Sequence, residues 1–338
     1  MTSTRKWFAL ALVSVLLLGG AIAYGASAYA RYQARSTAPS EVRTTSALAA
    51  TTEPHIVFRN TAQGQGYGKV ASVPLETPSA ARALTDQACD RVYATDTVLS
   101  CLRIKRGVPT TFEATVFDRA GTEVESWPLP GIPSRTRLSH DSSLVATTSF
   151  VTGHSYATIG FSTETVVSRV AGESYGNLED FALWVNGERV TAADRNIWGV
   201  TFAADDTTFY ATAASGGQTW LVHGNLADRS LTAIVDNAEC PSLSPDGTRV
   251  AYKKNSGTPD NPHWGIAVRT LTTEEEVVLP ESKNVDDQME WLDDSTLLYG
   301  LARDGAVGDS DVWSIAGSGA TTPSLFIEHA WSPSVVTK

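Results

Sequence analysis

One segment of the chain matches the pattern that surrounds the nucleophile of serine hydrolases. Gly172, Ser174 and Gly176 satisfy Gly-x-Ser-x-Gly, which exposes a serine hydroxyl when a buried strand precedes it and a helix follows it. Residues 177–185 have instead the pattern of another strand, and no helix is predicted there. We therefore expect Ser174 to lie in a turn, and we predict no catalytic residue.

The histidines and the acidic residues lack the spacing of known metal sites. None of the six histidines lies three or four residues from another, and no Cys-x-x-Cys pair accompanies them, so the usual zinc motifs are missing. Acidic stretches at 286–287, 293–294 and 304–311 offer the oxygen ligands that calcium prefers, but without EF-hand or nonapeptide spacing. We predict no metal and no cofactor from these motifs. Whether a calcium ion binds in the channel is left open by the sequence.

Composition and charge exclude several classes of function. The chain has 338 residues, of which 42% are hydrophobic and 19% charged, and its net charge is −11. This charge has the wrong sign for the capture of nucleic acid or of an anionic membrane surface. Strands do not alternate with helices of about 10 to 15 residues, so nucleotide-binding and hydrolase folds of the α/β class have little support. An all-β protein is expected.

The first thirty residues have the pattern of a membrane-targeting helix. Residues 7–30 carry no charge and follow Arg5 and Lys6, so the segment is long enough to cross a bilayer with the rest of the chain outside. We predict a retained anchor at 1–30, in the cell membrane as a single-pass helix with an extracytoplasmic carboxyl-terminal domain. Secretion after cleavage near Ala28 or Ala30 stays open. Residues 31–53, rich in Ala, Ser and Thr, are expected to form a flexible linker.

Two of the three cysteines are close together in the sequence. Cys89 and Cys101 are equidistant from residue 95, near the tip of a predicted hairpin, so their side chains could face each other on neighbouring strands. An oxidising compartment favours such a bond. We predict a Cys89–Cys101 disulfide with Cys240 free, and two unpaired buried thiols are the alternative.

A ten-residue pattern recurs along the chain, with two short strands on either side of a tight turn. Its fullest copy spans 243–252, and a shortened copy lies at 331–334. The turn residues are Ser244, Pro245, Asp246 and Gly247 in the fullest copy and Asp141, Asp205 and Asp294 in the weaker ones. An Asp in such a turn accepts backbone N–H bonds, so we predict a structural role for these residues.

The spacing of the copies predicts a β-propeller. The turn Asp residues are 64, 41 and 48 residues apart, which suits blades of four strands. Blades three to six should begin near Arg135, Gly199, Cys240 and Asp287. We expect residues 330–334 to pair with 55–60 as the innermost strand of blade one, which closes the ring. The positions flanking the turns are predicted to be buried: Leu138, Phe202, Leu243, Trp291 and Trp331 before them, and Val145, Phe209, Val250 and Leu298 after them.

The Ser-Pro-Asp-Gly copy at 243–252 resembles the WD40-like PD40 repeat of the TolB-type six-bladed propeller. Residues 89–92, 177–181 and 198–202 further resemble the actinobacterial, membrane-anchored TolB-like proteins. The resemblance implies a six-bladed propeller over 54–338 and an envelope protein that binds other proteins without known chemistry. The amino-terminal α/β domain of TolB proper has no counterpart in this sequence.

A propeller has two unlike faces. The turns between strands one and two lie on one face, here the short-turn face, while the loops between strands two and three and between blades lie on the other, here the long-loop face. Long polar loops on a rigid scaffold are where binding usually occurs. The predicted binding residues on the long-loop face are His154, Tyr156, Asn196, Trp198, Glu239, Gln288, Glu290 and His329.

Two classes of function follow from this arrangement. We favour a non-enzymatic scaffold, anchored in the membrane, that binds an envelope protein or a cell-surface ligand and no nucleic acid. The alternative is a propeller enzyme that acts on a glycan or an ester through carboxylates such as Glu239 and Glu290, with or without calcium. An enzyme needs two or three titratable groups that converge in one pocket, whereas a scaffold does not.

Overall fold

The computed structural model describes residues 3–45, 53–151, 162–258 and 261–337. Helix α1 spans Ser3–Thr37. Within it, Thr4–Arg31 is apolar and long enough to cross a membrane, so α1 is a candidate membrane anchor or signal sequence.

Twenty-seven strands follow among the described residues. Blades one and two contain β1 (Thr44–Thr45), β2 (His55–Asn60), β3 (Lys69–Pro74), β4 (Arg82–Ala88), β5 (Arg91–Ala94), β6 (Val98–Lys105), β7 (Thr111–Asp118) and β8 (Glu123–Leu129). Blades three and four contain β9 (Ile132–Leu138), β10 (Leu144–Val151), β11 (Ser162–Arg169), β12 (Ser174–Asn177), β13 (Ala182–Val185), β14 (Glu188–Val190), β15 (Asn196–Phe202), β16 (Thr208–Ser215), β17 (Gln218–Asn225) and β18 (Ser230–Asp236). Blades five and six contain β19 (Glu239–Leu243), β20 (Arg249–Asn255), β21 (Trp264–Thr270), β22 (Glu276–Val278), β23 (Glu290–Trp291), β24 (Thr296–Ala302), β25 (Ser310–Ala316) and β26 (Ser324–Ile327), and β27 (Ala330–Val336) ends the fold.

The strands form six sheets whose inner strands contact one another in a ring. The innermost strands are β27, β5, β9, β15, β19 and β23, and each contacts the next around the circle. Apolar side chains fill the spaces between neighbouring sheets. The predicted all-β, six-bladed propeller with one amino-terminal apolar helix is confirmed.

The ring closes through the carboxyl-terminal strand, as the sequence predicts. Strand β27 pairs antiparallel with β2, with Ala330 opposite Asn60 and Val336 opposite His55. One detail differs, because Trp331 is only half-buried. Its ring lies against Gly300 of blade six, and the guanidinium of Arg91 stacks over the ring at 5.1 Å. Leu243 is also half-buried, and the other predicted core positions are buried.

The Cys89–Cys101 disulfide is confirmed, although the hairpin register differs from the expected one. The two Cα atoms are 5.4 Å apart. The turn lies at 95–98, where the N–H of Thr95 donates to the carbonyl of Val98, so Cys101 faces Val92 across the strands. Cys89 precedes β5 and reaches its partner diagonally. Cys240 is free and buried.

Residues 182–190 belong to blade four and do not enlarge blade three, which corrects the continuous strand predicted over 177–185. The side chain of Asn177 accepts a hydrogen bond from the N–H of Glu179 and caps a 3₁₀ turn at Leu178–Asp180, which ends β12. Strand β13 then pairs in parallel with β18, the outer strand of blade four. Blade four thereby has six strands.

The repeat turns have the predicted chemistry in blades three to five. Asp141, Asp205 and Asp246 each accept backbone N–H bonds from residues two or three positions ahead. In blade six this role belongs to Asp293, which accepts from the N–H groups of Ser295 and Thr296. The predicted residue Asp294 is instead an acceptor for the N–H of Asp246 in blade five, at 2.9 Å, because the turn starts one residue earlier there.

The segment 31–53, expected to be a flexible linker, is structured over part of its length. It is helical to Thr37, and Thr44–Thr45 pairs in parallel with Arg82 and Ala83 as a fifth strand of blade one. The N–H of Gln65 donates to the carbonyl of Ala38 at 2.8 Å. Residues 38–45 therefore lie against the propeller.

Candidate functional site

A cavity of about 390 Å³ opens on the long-loop face between blades three, four and five. We call it the blade-four cavity, and the residues that line it include Arg135, Asn196, Trp198, Glu239, Cys240 and Lys253. Three of the predicted binding residues, Asn196, Trp198 and Glu239, thus lie in one cavity.

Bulges in the inner strands position these side chains. The pairing register shifts after Trp198 in β15 and after Glu239 in β19, and a bulge bends a strand and turns the neighbouring side chains. Gly199 has φ of +67°, and a Cβ atom there would lie 2.8 Å from the Cα atom of Cys240. Only glycine allows strands β15 and β19 to approach so closely, and this approach aims Trp198 and Glu239 into the cavity.

The charged groups at the cavity neutralise one another. The ammonium of Lys253 lies 3.6 Å from Glu239 and 3.0 Å from Asp286, and 4.8 Å from the centre of the Trp264 ring. The side chain of Lys253 is 4% exposed. Burial lowers the pKa of Lys253, but the electrostatic effects of Cys240, Asp286 and Glu239 together outweigh burial and raise this pKa above its usual value. Burial raises the pKa of Glu239, and Lys253 opposes the shift.

Arg135 and the free thiol form the floor of the cavity. One guanidinium nitrogen of Arg135 lies 3.5 Å from the sulfur of Cys240, and another donates to the carbonyl of Ser134 at 3.2 Å. Its Nε is buried without a hydrogen-bond partner among the described residues. The guanidinium therefore keeps a donor that no described residue satisfies.

Asn196 links blades three and four at the rim of the cavity. Its side-chain oxygen accepts the N–H of Thr163 at 2.8 Å, and the hydroxyl of Thr163 donates to Glu179 at 3.3 Å. Burial raises the pKa of Glu179 to about 7. The amide of Asn196 is therefore held in place by the fold, which presents Trp198 beside it.

The other predicted binding residues lie elsewhere. Gln288 bridges inner strands inside the channel, because its amide donates to the carbonyls of Val200 and Pro241 at 3.1 and 2.7 Å. His329 lies beside blade one, with its Nδ1 2.8 Å from the carboxylate of Asp309. His154 and Tyr156 lie outside the described residues.

Glu290 is buried in the channel and faces the other side of the ring. Its carboxylate is paired with Arg137, and it accepts from the hydroxyl of Tyr93 at 3.3 Å and the N–H of Val335 at 3.2 Å. It lines a second cavity of about 490 Å³ on the short-turn face. Between the two cavities the channel holds a void of about 20 Å³. Glu239 and Glu290 therefore do not meet in one pocket.

The serine-hydrolase pattern has no catalytic geometry. Ser174 is exposed and opens strand β12, and its hydroxyl accepts from the N–H of Gly176 at 3.0 Å. A strand and not a helix follows it, so the turn lacks the geometry that exposes a nucleophile. In the described ranges, His, Cys, Asp and Glu form no group of three or more that could hold a metal ion.

Sequence reasoning missed the cations that complete the site. Lys253 follows the apolar residues 250–252 of a predicted strand, and a charge at the end of such a strand is a usable signal. Arg135 and Arg137 are two residues apart on β9, so both side chains point to the channel side of blade three. The sequence placed Arg135 at the start of blade three but did not assign it to the predicted binding residues.

Comparisons with known proteins show the fold and no more. No family model matches the chain, and no curated protein matches it. Among solved structures, TolB from Acinetobacter baumannii is similar with a TM-score of 0.58 and 14% identity, over 84% of this chain and 67% of that chain. A chain of the nidogen/laminin complex has a TM-score of 0.55 and 10% identity, over 83% and 98%. An oligogalacturonate lyase in complex with manganese is more distant, with a TM-score of 0.47 and 11% identity, over 75% and 72%.

The chain therefore has a TolB-like propeller fold. Propellers serve many unrelated functions, so the fold alone does not separate a binding scaffold from an enzyme.

Proposed function

We propose that this protein is a membrane-anchored, extracytoplasmic propeller that binds an envelope protein or a cell-surface ligand at the blade-four cavity without catalysing a reaction. Helix α1 supplies the anchor, and Arg5 and Lys6, which precede its uncharged residues 7–30, favour a cytoplasmic amino terminus. The Cys89–Cys101 disulfide supports an oxidising compartment for the propeller.

The blade-four cavity is the observation that carries this proposal. It combines a half-buried aromatic side chain, Trp198, with paired charges on a rigid ring of inner strands. Aromatic anchors surrounded by polar groups are typical of binding hot spots. The ion pairs of Lys253 with Glu239 and Asp286 neutralise the charged rim, as in a surface that is built for recognition.

One observation supports the enzymatic alternative. Burial raises the pKa of Glu239, as a general acid requires. A glycosidase would need a second carboxylate about 5 to 9.5 Å away, and Glu290 lines the other cavity. Asp194 and Asp286 also line the blade-four cavity. Asp194 is bound to the hydroxyl of Ser215 and the N–H of Gly216, and Asp286 is paired with Lys253 at 3.0 Å, so neither carboxylate is free to act with Glu239. The scaffold is therefore the better supported function.

Replacement of Trp198 tests the proposal. Full-length chains are cross-linked in native membranes and purified, and the captured proteins and glycans are quantified. A hot-spot aromatic contributes about 2 kcal/mol or more, so Trp198→Ala should reduce capture about 30-fold. The matched control is Trp184→Ala, which removes a tryptophan that is 38% exposed at the outer edge of the same blade and should capture normally.

Two results would contradict the scaffold. Equal capture by both variants and the unchanged chain would show that the blade-four cavity does not bind the partner. A glycan- or ester-hydrolysing activity that disappears in Glu239→Gln would establish the enzymatic alternative.

A further inference from the structure

The anchor helix is joined to the propeller by a short, fixed connection. The N–H of Gln65 donates to the carbonyl of Ala38, the N–H of Glu41 to the carbonyl of Gln63, and the N–H of Arg82 to the carbonyl of Arg43. These bonds fasten residues 38–45 to blade one. The candidate membrane span ends at Arg31, and the helical residues 32–37 that follow cover about 9 Å at 1.5 Å per residue.

The end of the connection that joins α1 lies on the long-loop face. Gln63 and Gln65 belong to the loop that joins β2 and β3, which are strands two and three of blade one counted outward from β27. Loops between strands two and three define the long-loop face. Helix α1 therefore leaves the propeller on that face.

Two fully exposed apolar side chains flank this exit point. Val108 lies in the loop between β6 and β7 of blade two and is 106% exposed, and Val307 lies in the loop between β24 and β25 of blade six and is 99% exposed. They are the most exposed large hydrophobic residues in the described part of the propeller. Blades two and six are the neighbours of blade one, and their loops also join strands two and three.

The loops of blades one and six contact each other directly. The hydroxyl of Tyr67 donates to the carbonyl of Gly308 at 2.9 Å, next to Val307. The guanidinium of Arg59 in turn stacks over the Tyr67 ring at 5.0 Å. The loop that carries Val307 is thus tied to the loop that holds the connection to α1.

We propose that the long-loop face rests on the phospholipid bilayer at blades six, one and two, with Val108 and Val307 entering the interface on either side of α1. The inference rests on the proposed anchoring by α1. So short a connection holds this face within reach of the headgroups, and the transfer of apolar loop tips out of water lowers the free energy. The net charge of −11 gives no general attraction to anionic lipid, so zwitterionic lipid should suffice.

This orientation constrains the partner. Blade four is opposite blade one in a ring of six, so the blade-four cavity opens on the membrane-facing side but far from the anchor. A partner that enters the cavity must then approach close to the membrane surface.

Fluorophore quenching in nanodiscs tests the contact. The full chain is inserted into phosphatidylcholine nanodiscs that contain lipid brominated on the acyl chain, and a bimane label is attached to Val108→Cys or Val307→Cys. The matched controls are Ala120→Cys in blade two and Ser318→Cys in blade six, both exposed and in turns between strands three and four, on the short-turn face. Cys240 is buried and the other cysteines are bonded, so only the new thiol reacts.

We expect brominated lipid to quench the labels at 108 and 307 at least threefold more than the labels at 120 and 318. Equal quenching at all four sites, or stronger quenching at the controls, would overturn the lipid contact while the anchor and the partner site remain. A chain that does not insert through α1 at all would overturn the anchor of the proposed function and this inference with it.

Discussion

Ion pairs between single residues join blades that are not neighbours in the ring. The buried pair of Arg137 and Glu290 joins blade three to blade six across the channel, and Arg91 reaches Asp287 from blade two at 3.2 Å. Burial raises the pKa of Glu290, and Arg137 opposes this shift. Such pairs are costly to break, because the remaining charge is left without a partner in a buried site. They keep the two cavities apart.

Glu179 should make the stability of the propeller depend on pH. Its pKa is about 7 in the folded chain against an ordinary value of 4.5. Between these values the folded state binds more protons than the unfolded state, so its contribution is largest below pH 4.5 and is lost as the pH rises through 7. Glu179→Gln removes this titration and keeps an acceptor for Thr163. The melting temperature of Glu179→Gln relative to the unchanged chain should therefore rise between pH 5 and pH 8.

The control for Glu179 is Glu188→Gln, which removes an exposed charge at the outer edge of blade four. Its melting temperature relative to the unchanged chain should vary less over the same pH range. If the melting temperature of Glu179→Gln differs from that of the unchanged chain by the same amount at every pH, burial does not raise the pKa of Glu179.

Among the glycines at the site, Gly199 should be the one whose replacement by alanine destabilises the protein most. Alanine there would meet the Cα atom of Cys240 at 2.8 Å and would keep a positive φ, so we expect Gly199→Ala to lower the free energy of unfolding by about 3 kcal/mol. In Gly217→Ala the φ of +77° is also positive, but no atom lies within 4 Å, and the cost should be about 1 kcal/mol. Denaturant unfolding of both variants measures the difference, and equal losses would contradict the close approach of β15 and β19.

At the level of elements, the closing strand β27 joins blades one, two and six. Strand β27 supplies the inner position of blade one and contacts β5 of blade two and β23 of blade six. The hydroxyl of Ser334 also donates to the carbonyl of Ala94 at 2.7 Å. Blade one depends on both ends of the folded chain, so its sheet forms only when the ring is complete.

Removal of residues 330–338 should open the ring. Without β27 the edges of β2 and of the neighbouring inner strands are exposed, so the melting temperature should fall by about 10 °C or more, or the chain should aggregate. Thermal unfolding and size-exclusion chromatography measure the effect. Removal of 337–338 alone, beyond the end of β27, should change little, and an unchanged melting curve for the longer deletion would refute the closure.

The predictable elements are those that the repeat encodes locally. The turn Asp and the apolar positions beside it identified the blades, because each copy contains its own hairpin. The addition of residues 182–190 to blade four was not predictable, since the parallel pairing of β13 with β18 leaves no local pattern in the sequence. The bulges were also missed, although Pro241 and Pro333 in inner strands are a signal for them.

The site was predictable only in part for the same reason. Asn196, Trp198 and Glu239 begin inner strands, so their blade order placed them on one face. Whether Glu290 lies in the same cavity as these residues depends on how deep β23 sits in the channel. Glu290 pairs with Arg137, which is 153 positions away in the sequence. Long-range contacts of this kind follow from the assembled ring and not from a motif.

At the level of the whole molecule, the anchor and the cavity lie on the same face of the propeller. Helix α1 departs beside blade one, and the blade-four cavity opens on the opposite side of the same ring. The short-turn face, with its hydroxyl-lined cavity and the buried Arg137–Glu290 pair, points the other way. We propose that binding occurs in the space between this ring and the membrane.

Photo-cross-linking in intact cells tests this central claim most directly. A photoreactive phenylalanine replaces Trp198 in the cavity, Trp184 at the outer edge of blade four or Asp96 on the short-turn face, each in the full-length chain. We expect a discrete cross-linked product from position 198 and none from positions 184 and 96. A product from 96 or 184, with none from 198 in a chain that folds normally, would contradict the account.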